Sequence, residues 1–161
     1  MNYMEINPND VVNGEGISVS LFVSGCDFKC PGCFNESAWC FTSGTEFTIE
    51  DLNYIIEKIN DNGIIRNFSI LGGEPLHPDN REWTYMICAA VKYNCPDTKI
   101  YLWTGYTMKE IKKEYPEILY KVDVLIDGRY EQNKRDISLK LRGSKNQNIW
   151  RKNKNGRFKK E

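Results

Sequence analysis

The chain has 161 residues, carries 22 basic against 22 acidic side chains, and is 40% hydrophobic and 27% charged. This length suits one domain with a buried core, and the composition is ordinary for an α/β protein. It excludes a disordered chain and a membrane-spanning helix, because no apolar run exceeds what a strand needs. No charged segment followed by an apolar run opens the chain, so a cytoplasmic protein with no membrane partner is expected.

Ile17 to Ser24 alternates and is rich in β-formers, which predicts a strand delivering the chain into a cysteine loop. Thr48 then opens a helix as N-cap, with Asp51 at the capping-box position. Leu52, Ile55, Ile56 and Ile59 form one buried stripe before Gly63. Asn67 to Leu71 predicts a strand ending in Gly72-Gly73, and about Asn80 to Tyr93 a second helix with Trp83, Ile87, Ala90 and Val91 inward. Lys99 to Trp103 is a further strand. Thr107 with Glu110 caps a short helix that Pro116 interrupts, and Val122 to Ile126 is a fourth strand.

Strands separated by helices imply βαβ units and a mainly parallel sheet. Four or five such units are too few to close an eight-stranded barrel, so the expected fold is α/β, an open partial (β/α) barrel. Ligands gather at the carboxyl ends of parallel strands. That edge should hold residues 24–35, 72–78, 104–106 and 127–130.

From Lys140 to Glu161 there are nine basic residues and one acidic one. Residues 148–161 therefore read as a basic tail after a domain of residues 1–147. The tail is expected to be solvated and partly disordered, the alternative being contact with nucleic acid or an acidic partner.

Three of the six cysteines crowd together as Cys26, Cys30 and Cys33, while Cys40, Cys88 and Cys95 are scattered. In a reducing compartment such a cluster binds metal rather than forming disulfides. Thiolates suit both zinc and iron–sulfur clusters, and each usually takes four ligands. A fourth could be Cys40 or His77, or one iron could keep an open position. Gly25 lets the chain turn into the loop, and Pro31-Gly32 tightens the bend between Cys30 and Cys33. Cys88 and Cys95 read as buried thiols, His77 as a loop residue, Asp127-Gly128 as a turn, and Trp39, Trp83 and Trp103 as core or pocket wall.

The strand leading to C-x3-C-x2-C, Phe34 after the last cysteine, and Gly72-Gly73-Glu74-Pro75 resemble the signatures of radical S-adenosylmethionine enzymes. Further motifs narrow the resemblance: Asn13-Gly14-Glu15-Gly16, Trp103-Thr104-Gly105-Tyr106, Val124 to Gly128 and Arg142 to Gln147. The ordered set is similar to the activating proteins of anaerobic (class III) ribonucleoside-triphosphate reductases.

That resemblance implies one [4Fe-4S] cluster on Cys26, Cys30 and Cys33, with S-adenosylmethionine on the remaining iron. It implies cofactor contacts at Gly32, Cys33, Phe34, Gly72, Gly73, Glu74 and Thr104. The implied partner is the large reductase subunit, which receives a glycyl radical. An external electron donor such as flavodoxin is expected, because no second cysteine cluster is present; no direct contact with nucleic acid is expected. The alternatives are an activase for another glycyl-radical enzyme and a zinc-stabilised nucleic-acid-binding module.

Overall fold

A computed structural model describes the whole chain, residues 1–161. The strands are β1 (Asn2–Asp10), β2 (Ser18–Val23), β3 (Thr45–Glu46), β4 (Asn67–Gly72), β5 (Ile100–Thr104), β6 (Val124–Asp127), β7 (Asn148–Lys152) and β8 (Phe158–Lys160). Three α-helices accompany them: α1 (Ile49–Ile59), α2 (Arg81–Asn94) and α3 (Met108–Glu114). All eight strands join one sheet in the order β3-β1-β2-β4-β5-β6-β7-β8.

The four expected strands form the centre, where β2, β4, β5 and β6 pair in parallel through helical crossovers. The expectation of a mainly parallel sheet is corrected, because the other four pairings are antiparallel and the sheet is mixed. For two of these pairings connection length is the physical reason. Residues 11–17 between β1 and β2, and 153–157 between β7 and β8, are too short to carry a crossover and must fold back as hairpins.

The sheet is open, since β3 and β8 are its two edges. Arg151 on β7 nevertheless reaches Glu15 before β2, at 2.5 Å. Those strands stand four places apart, about 19 Å on a flat sheet, so the sheet curls toward this face.

Residues 148–161 do not form the solvated, partly disordered end expected from their charge. β7 pairs with β6, placing Ile126 opposite Ile149 and Leu125 opposite Trp150. Ile149 is buried and Trp150 packs on the core, while the Arg151 guanidinium bridges Glu15 and Glu161. Apolar residues spaced between the cations hold this segment to the sheet.

The helices start where their caps predict. Thr48 and Asp51 form a reciprocal capping box on α1, and Thr107 and Glu110 form another on α3. Leu52, Ile55 and Ile59 of α1 enter a core of 22 buried residues between the helices and one face of the sheet. The opposite face carries Tyr101, Val124, Ile126 and Ile149, packed with Trp103 and Leu141. No helix is long and apolar enough to cross a membrane.

Candidate cluster-binding site

Because β2, β4, β5 and β6 run parallel, their carboxyl ends deliver four loops to one edge of the sheet. There Cys26, Cys30 and Cys33 line one cleft with Gly72, Gly73, Glu74 and Thr104. The cleft has a volume of about 150 Å³ and is open to solvent.

The cysteine loop is shaped by its backbone. Cys30-Pro31-Gly32-Cys33 is a tight turn closed by the Cys33 N–H donating to the Cys30 carbonyl at 3.0 Å, with Gly32 at φ +70°. Proline second and a left-handed glycine third is the chemistry of a type II turn, and it sets two thiols on one short bend. The Asn35 N–H donates to the Cys33 sulfur at 3.4 Å.

Burial is the main cause pushing the Cys26 thiol up to about 11, and it raises Cys30 as well. Both thiols are therefore protonated at neutral pH in the bare chain, so a metal centre bound through them would release protons. No three His, Cys, Asp or Glu side chains converge as a single metal ion would require. Three thiols lining one cleft are the donor type that an iron–sulfur cluster takes.

The glycine turn interlocks with the cysteine loop backbone to backbone. Gly73 N–H donates to the Val23 carbonyl at 2.8 Å, and Glu74 N–H to the Gly25 carbonyl at 2.7 Å. Asn80, 1% exposed at the head of α2, donates its side-chain amide to the Ser24 and Glu74 carbonyls and ties both loops together. A Cβ on Gly73 would stand 2.6 Å from the Gly25 carbonyl oxygen. Gly73→Ala is therefore expected to push the loops apart and lower the iron retained after reconstitution, measured as iron per chain against wild type.

Glu74 and Thr104 both face the cleft, but they are bonded to each other. Glu74 is 2% exposed and accepts from the Thr104 hydroxyl at 2.6 Å, the Gly105 N–H at 2.7 Å and the Leu76 N–H at 2.9 Å. Burial drives its carboxyl up to about 7 against the opposing pull of those donors. The carboxylate thus fastens the ends of β4 and β5 together.

Phe34 and Gly32 are not in the cleft wall. The Phe34 ring is fully exposed and lines an adjoining groove, to which Gly32 also contributes. Cys40 is exposed and bonded to Thr42. Both nitrogens of the His77 ring are engaged, Nε2 with Asp27 and Nδ1 with the Asp79 N–H. Cys88 and Cys95 are buried away from the loop.

Sequence reasoning missed Arg129 and Phe28, which line the cleft with the guanidinium 4.1 Å above the ring. Arg129 is the one basic side chain in that wall. Asp127 was a stronger signal than a turn residue: it is buried and accepts from the Met108 N–H at 2.6 Å, fixing the start of α3.

Residues 12–150 match a family model described as a 4Fe-4S single cluster domain. The chain is 44% identical over 154 residues to the anaerobic ribonucleoside-triphosphate reductase-activating protein of Pasteurella multocida, covering 94% of this chain and 98% of that protein. Its identity to the protein of the same name from Vibrio cholerae is 44% over 152 residues, covering 94% and 98%. For that of Escherichia coli it is 41% over 148 residues, covering 91% and 96%. An iron–sulfur domain of this kind, matched end to end by relatives of one name, settles the kinship: the chain belongs to the family of anaerobic ribonucleoside-triphosphate reductase-activating proteins.

Proposed function

We propose that this chain is a radical S-adenosylmethionine enzyme that holds one [4Fe-4S] cluster on Cys26, Cys30 and Cys33 and generates a glycyl radical on the large subunit of an anaerobic ribonucleotide reductase. The observation that carries this reading is the cleft itself: three thiols on one wall beside the Gly72-Gly73 turn, whose residues carry no side chains. Cys26, Cys30 and Cys33 would hold the cluster, which with bound S-adenosylmethionine would supply one-electron reductive cleavage of that cofactor and, through it, abstraction of a glycine α-hydrogen.

The chain's own residues bind and orient. Cys26, Cys30 and Cys33 are the side chains that would hold the cluster. Gly72 and Gly73 admit backbone carbonyls to an ammonium group, and Arg129 offers a charge partner for a carboxylate. Gly32, Cys33 and Phe34 stand where the cleft meets its adjoining groove, in reach of a base that extends outward. Glu74 and Thr104 hold the strand ends in register by bonding each other, a positioning role. The absence of a second cysteine cluster favours an external electron donor such as flavodoxin.

The test is anaerobic reconstitution with iron and sulfide, then reduction in the presence of S-adenosylmethionine. 5′-Deoxyadenosine is expected, and adding the large reductase subunit should give a glycyl radical signal in electron paramagnetic resonance. A reconstituted chain that forms no 5′-deoxyadenosine would overturn the proposal.

A further inference from the structure

The cleft is not a closed pocket. It runs into a second groove of about 460 Å³, and Cys33, Asn35, Tyr130 and Gln147 line both. The outer wall of that groove comes from residues 128–147, the long connection from β6 to β7, through Arg135, Ile137, Leu139 and Arg142. Phe34 faces it from the cysteine loop. Phe34 is 100% exposed and Ile137 86%. Two large apolar side chains this bare on one groove mark an interaction surface.

The connection is an ordered strap. The Trp103 indole N–H donates to the Leu141 carbonyl at 2.6 Å, the Lys145 N–H to Lys134 at 2.9 Å, and the Asp136 N–H to Gly143 at 3.1 Å. It is also strongly basic: Arg129, Lys134, Arg135, Lys140, Arg142 and Lys145 stand against Glu131 and Asp136 alone. Both carboxylates are already taken, Glu131 by Lys134 and Asp136 by Lys145. The remaining four cations have no carboxylate partner within the chain.

We infer that this groove receives the glycine-bearing segment of the large reductase subunit, as an extended peptide with carboxylates for Arg135 and Arg142 and apolar side chains for Ile137 and Phe34. The inference rests on the activase reading and adds the route and chemistry of the partner. Hydrogen transfer needs reacting atoms within about 3–3.5 Å, so the target α-carbon must enter the cleft itself. The groove is an opening continuous with the cleft. An electron donor has no such need, because an electron crosses protein without its carrier entering the site.

The test uses Ile137→Asp and Arg135→Glu in the reconstituted full chain, with Lys154→Glu in the exposed turn after β7 as a charge control. Three quantities are measured under a chemical reductant: affinity for the large subunit, glycyl radical yield, and 5′-deoxyadenosine formed without the subunit. The two groove variants are expected to lose at least about ten-fold in affinity, the cost of a disrupted interface anchor, with a parallel fall in radical yield. Cofactor cleavage without the subunit should match wild type, which also shows that the variants fold.

Wild-type affinity and yield in both groove variants would overturn the inference. So would an equal loss in Lys154→Glu, or a loss that appears only when flavodoxin replaces the chemical reductant, since the surface would then belong to the donor. A wild-type chain that binds the subunit through these residues yet cleaves no cofactor would instead sink the activase reading and leave the docking assignment standing.

Discussion

Cys30→Ala is expected to retain no cluster after anaerobic reconstitution and to reduce 5′-deoxyadenosine to background, while Cys40→Ala and His77→Ala keep both near wild type. The contrast follows from the surroundings of each residue. Cys30 shares one tight turn with Cys33 and lines the cleft, so its loss leaves two thiolates, which cannot chelate a cuboidal cluster. Cys40 lies outside the cleft wall and His77 has both ring nitrogens committed to acidic neighbours. Iron and sulfide content per chain provide one readout and chromatography of the nucleoside products the other. Loss of the cluster in His77→Ala or Cys40→Ala would mean a fourth protein ligand, and an iron with no corner free for substrate.

Glu74→Ala is expected to cost the apo protein about 3–5 kcal/mol in chemical denaturation, since it orphans three donors around a buried carboxylate. Glu74→Gln should cost less, about 1–3 kcal/mol, because one amide end must face an N–H that needs an acceptor. A pH effect accompanies this.

Burial lifts the carboxyl from 4.5 to about 7, so the folded chain holds that proton more tightly than the unfolded one. Its contribution to stability is fully present below about pH 4.5 and is lost as pH rises through 7, by about 3 kcal/mol at most. Unfolding free energies taken across that window should therefore show a shallower decline in Glu74→Gln than in wild type. An equal slope in both would place the titration elsewhere.

The central fold was legible because its signals are local. Capping boxes at Thr48 and Thr107 need only four residues each, and both helices start there. The cysteine loop likewise declares its turn through Pro31-Gly32. What escaped was non-local. β1 carries Pro8 and several polar residues, so nothing in it resembles a buried strand; it exists because β2 offers a partner. β7 hides Ile149 and Trp150 among cations, and only pairing with β6 reveals them.

The cleft contacts divide the same way. The spacing of Cys26, Cys30 and Cys33 marked the loop, and Gly72-Gly73 stood at the end of an expected strand. Arg129 was not, because the packing of its guanidinium over Phe28 joins residues about a hundred positions apart. Phe34 shows the opposite failure, a motif residue whose ring stands outside the cleft wall.

The two rims of the sheet are blunt. β3 has two residues, so most of β1 lies uncovered, and that stretch carries Pro8 and two breaks in register. The other rim, β8, is three residues long and ends in exposed Lys159 and Lys160. A foreign strand finds neither a straight ladder nor a neutral surface to zip onto. Short, kinked and charged rims of this kind disfavour edge-to-edge stacking of copies of the chain.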